Sequence, residues 1–375
     1  MIYLDAAATT PVRREVLEAM WPHLTGEFGN PSSSHELGES AAAALAAART
    51  AVAARFGCRP SEVVFTSGGT EADNLAIKGI ALAVPRGRHL VVSAIEHEAV
   101  LASCDYLARH HGFEVTVVPV DREGLVDAAQ LASSLRPDTT LVSIMLANNE
   151  VGTIQPVAEL ARLARAVGAR FHTDAVQAAG SIEVNLGALG VDALSVSAHK
   201  LGAPKGIGAL LLRSGVPVEP LMHGGGQERG RRSGTENVAG AVGFAAALAS
   251  ARPSASVELR DAFIRQVLEA VPGTLLTGSD RQRLPGHASF CFPGTSGEAI
   301  LLELGRRSIV CSSGSACAAG SDEPSPVLLA MGYAPEVAQT AVRFSWDADT
   351  TPEQLRDVVR ALVESHAAVR GIGVR

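Results

Sequence analysis

Ser195-Val196-Ser197-Ala198-His199-Lys200, continuing as Leu201-Gly202-Ala203-Pro204-Lys205-Gly206, is the stretch on which the reading of this chain turns. Val191 to Val196 has the length and apolar character of a short buried strand, and a Gly/Pro loop follows the lysine. A lysine at the carboxyl end of a buried strand, just ahead of a turn, stands where open α/β sheets keep their ligands. Burial there lowers the pKa of an amine, and the free amine can attack a carbonyl. A solvated lysine at a strand end is the plain alternative, and the hexapeptide alone favours it. The surrounding chain shifts the balance.

On either side of this stretch, strand and helix signals alternate. Glu62–Thr66, His89–Ile95, Phe113–Val120, Thr140–Leu146, Arg170–Thr173, Ala193–Ser197 and Gly208–Leu212 read as strands. Glu71–Ala83, Val100–His110, Asp127–Leu135 and Val157–Val167 read as helices between them, after an alanine-dense helix over 36–56 that Gly57 stops. Near-continuous apolar strands separated by helices describe a mostly parallel sheet covered on both faces. Beyond about residue 250 the pattern changes to a helix over Val257–Val271, short strands near Ala288–Phe292 and Ile309–Cys311, a strand Ala341–Ser345 and a helix from Pro352. The expected fold is α/β, with a large domain over 15–255 and a smaller α+β domain made of 1–14 and 256–375. Residues 1–35 read as loop-rich, with turn clusters at Asp5–Pro11 and Gly29–His35.

Composition narrows the function classes. The 375 residues are 47% hydrophobic and 19% charged, enough for a sizeable core. A net charge of −7 and only 4% aromatics argue against a general nucleic-acid binder. No run reaches the roughly 18–20 unbroken apolar residues of a membrane span, and Met1-Ile2-Tyr3-Leu4-Asp5 lacks the basic and apolar regions of a secretion signal. A cytoplasmic protein is expected. The five cysteines are odd in number, scattered and without a CxxC pair, so neither a metal site nor a disulfide framework is indicated.

Several short motifs sit at or near strand ends. Ser67-Gly68-Gly69-Thr70-Glu71 allows close backbone approach at a helix start, which favours an anion as much as it suits an ordinary capped turn. His97 could stack on a ring or move protons, and Asn148-Asn149 could bind a carboxylate or ring oxygen. Asp174 stands where an acid could hold a pyridine nitrogen protonated, which makes pyridoxal phosphate an electron sink; the alternative is a helix cap. Gln177 follows on the same side of the incipient helix. The glycine-rich, basic stretch His223–Thr235 could reach a phosphate through amides and arginines. Cys317, among small flexible residues in Cys311–Ser321, suits a nucleophile that travels between partners, whereas Cys311 ends an apolar strand and reads as inert. Together these residues supply phosphate donors, a ring stack, a pyridine partner and an amine.

The same stretches give a resemblance. Tyr3-Leu4-Asp5 with Ala8-Thr9-Thr10-Pro11, Gly29-Asn30-Pro31-Ser32-Ser33, 66–74, Glu96-His97, Asn148–Gly152, Asp174–Gln177, Ser197–Lys200, His223–Thr235 and Ser312–Cys317 resemble the NifS/IscS-type cysteine desulfurases of the aminotransferase class V family, fold-type I pyridoxal-phosphate enzymes. The match spans nearly the whole chain in the family's order. The resemblance implies that Lys200 holds the cofactor and later moves the substrate's α-proton, that His97 stacks on the ring, and that Asp174 and Gln177 contact its nitrogen and hydroxyl. Gly69, Thr70, Ser197 and His199 would bind the phosphate, and Thr235 would reach the phosphate in a neighbouring subunit, implying a homodimer. Asn149 would contact cofactor or substrate, and Arg343 the substrate carboxylate. Cys317 would take the sulfur of L-cysteine as a persulfide, releasing alanine, for a sulfur acceptor such as an iron–sulfur scaffold or a thiolation enzyme.

Two departures stand out. Trp346-Asp347-Ala348-Asp349 replaces a Leu-Gly-containing turn near the expected carboxylate site, and the sequence ends at Arg370–Arg375 without the longer tail of some relatives. A lyase or transaminase of the same fold is the alternative activity. It would not need Cys317. A non-catalytic sulfur-carrier subunit would not need Lys200, Asp174, His97 and Arg343 together.

Overall fold

The computed structural model describes residues 1–250, 256–314 and 323–372. Its strands in chain order are β1 (Ile2–Tyr3), β2 (Val63–Thr66), β3 (His89–Ser93), β4 (Glu114–Val118), β5 (Thr139–Ser143), β6 (Arg170–Asp174), β7 (Ala193–Ser197), β8 (Gly208–Leu212), β9 (Leu275–Leu276), β10 (His287–Cys291), β11 (Ile309–Val310) and β12 (Ala341–Ser345). β5, β7 and β8 are buried along their whole length, as apolar runs covered by helices on both faces must be.

The central sheet has the order β2-β8-β7-β6-β5-β3-β4. β3 to β7 pair in parallel, and β8 runs against both β2 and β7. β2 therefore points the same way as β7, and the carboxyl ends of β2, β3, β5, β6 and β7 share one edge. Gly208 makes this possible at the start of β8. A Cβ there would lie 2.7 Å from the Val196 carbonyl oxygen and 2.8 Å from the backbone of Gly68.

A second, antiparallel sheet, β12-β10-β9, and the parallel pair β1-β11 build the smaller unit. Its core gathers Leu4, Phe290, Phe344 and Trp346 around Phe263. Phe263 meets Phe344 and Trp346 edge to face at 5.5 Å, each such pair contributing about 0.5–1.5 kcal/mol beyond area burial. β1 thus carries the N-terminus into the unit formed by the C-terminal third of the chain.

Two expectations need correction. Residues 1–35 are not loop-rich throughout: Arg14–Thr25 is a helix, with Pro22 inside it and Val16 as its buried residue. Packing fixes it in place, because Gly243 lets Met20 and Val16 come against helix Val238–Ala249. The helix expected over Glu71–Ala83 begins earlier, at Gly69, and passes through a π-helical turn at Leu75–Gly79 before Ile80–Ala83. Among the described residues no helix is long and apolar enough to cross a membrane.

Candidate active site

The turn after β2 is braced from inside. Thr66 Oγ1 donates to the Gly68 carbonyl (3.0 Å), and the Ser67 amide donates to Glu71 Oε2 (2.8 Å). Arg232 Nε reaches Glu71 Oε1 at 2.8 Å. Burial pushes the Glu71 carboxyl up, but Arg232 and Ser67 outweigh it and hold the pKa below the ordinary value. Gly69 and exposed Thr70 then face the end of β7. A Cβ on Gly69 would stand 3.5 Å from Ser197 Cβ and 2.8 Å from Val176 Cγ2. The structure therefore brings Gly69, Ser197 and the Asp174–Val176 turn together.

β7 runs into the short turn Ala198–Lys200. Lys200 Nζ donates to the carbonyls of Ala7 and Ala8, and Gln177 Nε2 donates to the same Ala7 carbonyl at 3.0 Å. Burial, aided by Arg343, lowers the Lys200 pKa to about 8. His199 shares a hydrogen bond with Thr9 Oγ1 (3.1 Å), and burial with the neighbouring Lys200 lowers its pKa to about 4, so the ring is neutral at pH 7. Thr10 Oγ1 clasps this turn, donating to the His199 carbonyl (2.8 Å) and accepting from the Gly202 amide (2.9 Å).

Asp174 ends β6, and its Oδ1 accepts from the Val176 amide at 2.8 Å. Burial raises its pKa, against the opposing influence of that amide, His97 and Lys200. Further buried acids lie nearby. Burial raises Glu96 to about 8, and raises Asp73 with help from Asp174. His172 is driven down to about 3 by burial and is held between Ser143 Oγ (2.8 Å) and Ser195 Oγ (2.9 Å). Of these three carboxyls, Asp174 is the one beside the Lys200 amine, which opposes the effect of burial. His97 is half-buried and caps helix Glu98–His111, its Nδ1 accepting from the Ala99 amide at 3.1 Å.

The small unit contributes Arg343, fully buried in β12. Its Nη1 donates to the carbonyls of Asn149 (2.9 Å) and Gly314 (3.3 Å), and its Nη2 to Asp5 Oδ1 (2.6 Å). The turn that carries Asn149 is fixed by Asn148, which bonds the Ile95 carbonyl and the amides of Glu150 and Val151. Buried Arg283 ties the Val151 carbonyl to the small unit at 2.9 Å.

Of the expected site residues, Lys200, Gln177, Asp174, Ser197, Gly69, Thr70, His199 and His97 lie along the common strand edge, and Arg343 joins Asn149 to it. Thr235 is exposed, on the stretch leading into helix Val238–Ala249. Cys317 lies outside the described residues. The Cys311 thiol is pushed up to about 12 by burial and stays protonated. The arginines expected to reach a phosphate do other things. Arg229 and Arg231 bond the carbonyls of Ser61 and Val63, and Arg232 holds Glu71. Beneath them, buried Glu228 pairs with Arg49 at 2.6 Å and accepts from the Phe65 amide. Asp347 and Asp349 are exposed and line a cavity of about 350 Å³ that reaches Lys200 and Gln177. The acid on Arg343 is instead Asp5, which sequence reasoning did not single out. It also missed Asp73, Glu96 and His172, although His172 and Asp174 are two apart on one strand and so share a face.

Residues 2–358 match the family model for aminotransferase class-V. The chain is similar to a protein named cysteine desulfurase IscS from Dictyoglomus turgidum, 48% identical over 97% of this chain and 94% of that one. Among solved structures it resembles a NifS-like protein, with a TM-score of 0.89, 38% identity and 98% and 99% of the two chains covered. It also resembles SspA solved in complex with cysteine, with a TM-score of 0.83, 36% identity and 94% and 100% covered.

Proposed function

The chain belongs to the aminotransferase class-V family, and from that premise we propose that it is a pyridoxal-phosphate-dependent cysteine desulfurase. It converts L-cysteine to L-alanine and leaves the sulfur as a persulfide on Cys317 for a sulfur acceptor, an iron–sulfur scaffold or a thiolation enzyme. The observation that carries this reading is the meeting, on one sheet edge, of an amine of lowered basicity (Lys200), a buried acid (Asp174) and a glycine turn, with a buried guanidinium (Arg343) reaching in from the small unit.

That donor set fits pyridoxal phosphate. Lys200 is half-buried, and its pKa of about 8 leaves far more neutral amine at physiological pH than an ordinary lysine has, the form that bonds an aldehyde. Asp174 would hold the ring nitrogen and keep its proton in place. Gln177 would take the ring hydroxyl and His97 would lie against the ring. Gly69, Thr70, Ser197 and His199 would bind the phosphate, His199 as a neutral hydrogen-bonding group. When bound, the cofactor supplies an electron sink for the charge that develops at the substrate's α-carbon.

Arg343 would orient the substrate through its carboxylate, and Asn149 would border it. Lys200 would take the α-proton. The Cys317 thiolate would attack the substrate sulfur: a sulfur–sulfur bond forms, the carbon–sulfur bond breaks, and the carbon is protonated to give alanine. A homodimer would place Thr235 at a neighbour's phosphate. Exposed Leu17, Trp21 and Leu24 on helix Arg14–Thr25, with Phe28 just beyond, form an apolar stripe that supports a second copy of the chain covering it.

The discriminating experiment is turnover by Cys317→Ala. Loss of sulfide release with the cofactor still bound supports the desulfurase reading. Pyruvate and sulfide released from L-cysteine by Cys317→Ala at the wild-type rate, without alanine, would overturn it in favour of a lyase.

A further inference from the structure

Arg343 has no open face. Its side chain is 1% exposed, Nη1 is taken by two backbone carbonyls, Nη2 by Asp5, and Nε has no partner among the described residues. An incoming carboxylate must therefore replace something. The carbonyls of Asn149 and Gly314 belong to backbone. Asp5 is a side chain, 19% exposed, and can turn away from the guanidinium without unfolding anything.

The local build fits such a movement. The backbone around Asp5 is anchored independently of its carboxylate. The Ala6 amide donates to the Ser345 carbonyl (3.0 Å), the Ala7 amide to Ser345 Oγ (2.8 Å), and the Tyr3 hydroxyl to the carbonyls of Asp5 and Thr9. The contact itself is lopsided: Asp5 uses one oxygen on Nη2 and leaves Nε unpaired. A free carboxylate spanning Nε and Nη2 would make the paired, two-bond contact that guanidinium geometry favours.

We propose that Asp5 is a resident carboxylate on Arg343 that the substrate's α-carboxylate displaces, so that Asp5 sets the affinity of the site for amino acids. The inference rests on the reading of Arg343 as the carboxylate site. Exchange of one carboxylate for another keeps the buried guanidinium paired at every stage, which avoids the large penalty of an isolated buried charge. It also weakens binding, because the ligand competes with an acid already in place. Asp5 thereby disfavours weak carboxylates and favours ligands that gain contacts elsewhere in the site.

The test uses the cofactor-loaded protein and calorimetric binding of two carboxylate ligands that carry no sulfur, propionate and L-alanine. In Asp5→Asn, which keeps an oxygen for Nη2 but removes the charge, both ligands should bind about fivefold tighter or better. Asp5→Ser should act in the same direction, which covers the case in which one variant folds poorly. The KM for L-cysteine should fall with no rise in kcat. Unchanged or weaker binding in both variants would overturn the inference and leave Asp5 as a strut for Arg343. Arg343→Met separates the two levels. If propionate binding survives that change, Arg343 is not the carboxylate site and the underlying reading fails as well. If binding is lost there but indifferent to Asp5, only the exchange fails.

Discussion

Lys200 Nζ donates to the carbonyl oxygen of Ala8 at 2.7 Å, so the N-terminal turn holds the amine that the site depends on. Burial, with Arg343 as the second cause, lowers the pKa of that amine to about 8. Only the neutral amine bonds an aldehyde. The rate at which cofactor-free protein takes up pyridoxal phosphate should therefore rise with pH and reach half its plateau near pH 8. Stopped-flow absorbance across pH 6–10 would read this; a midpoint near 10 would mean that the amine is not perturbed.

Gly208 lets β8 pass against the Gly68 turn, since a Cβ there would meet backbone atoms at 2.7–2.8 Å. Backbone cannot step aside as a flexible side chain can. Gly208→Ala should cost about 1–3 kcal/mol of stability and loosen the cofactor through the displaced 68–70 turn. Denaturant unfolding and the cofactor dissociation rate would both register the change.

Glu96 is a buried acid whose pKa burial raises from 4.5 to about 8. The native state thus holds a proton that the unfolded chain releases between those values. The contribution is fully present below about pH 4.5 and is lost as pH rises through about 8. Glu96→Gln cannot titrate, so the fall in stability of the wild type from about pH 5 to pH 8 should become shallower by one proton's worth. Urea unfolding at several pH values would show parallel curves for the two proteins if Glu96 were ionised throughout.

Arg49 and Glu228 form a buried, two-bond ion pair beneath the basic loop. Glu228→Ala leaves the guanidinium buried and uncompensated, and should destabilise the protein by about 3 kcal/mol. Because Glu228 also takes the Phe65 amide in β2, the same change should expose the sheet edge to faster amide exchange around 63–66. A thermal shift and exchange mass spectrometry would test the two effects together.

The sequence was most legible where one local force decided the outcome. Ala193–Ser197, Gly208–Leu212 and Ala341–Ser345 are strands with the bounds the sequence suggested, because each is buried along its whole length. Helix Arg14–Thr25 was missed because it contains Pro22 and because the partner of its buried face, Gly243, lies some 220 residues away. The partners of the basic loop's arginines were illegible for a related reason. Glycines and arginines suggested a phosphate, but Glu71 and the carbonyls of β2 and its approach, distant in sequence, had claimed the arginines. Asp5 and Arg343 are 338 positions apart, and no spacing rule links them. The chemistry-bearing residues at strand ends were legible because the topology that gathers them follows from the strands themselves.

The most direct measurement is the fate of L-cysteine with the purified, cofactor-loaded protein in the presence of a reductant, with alanine and sulfide assayed together. Alanine and sulfide appearing in equal amounts, with Cys317→Ala inactive and still carrying the cofactor, is the expected result. A loaded wild-type protein that releases pyruvate or keto acid from cysteine, and no alanine, would contradict the desulfurase assignment.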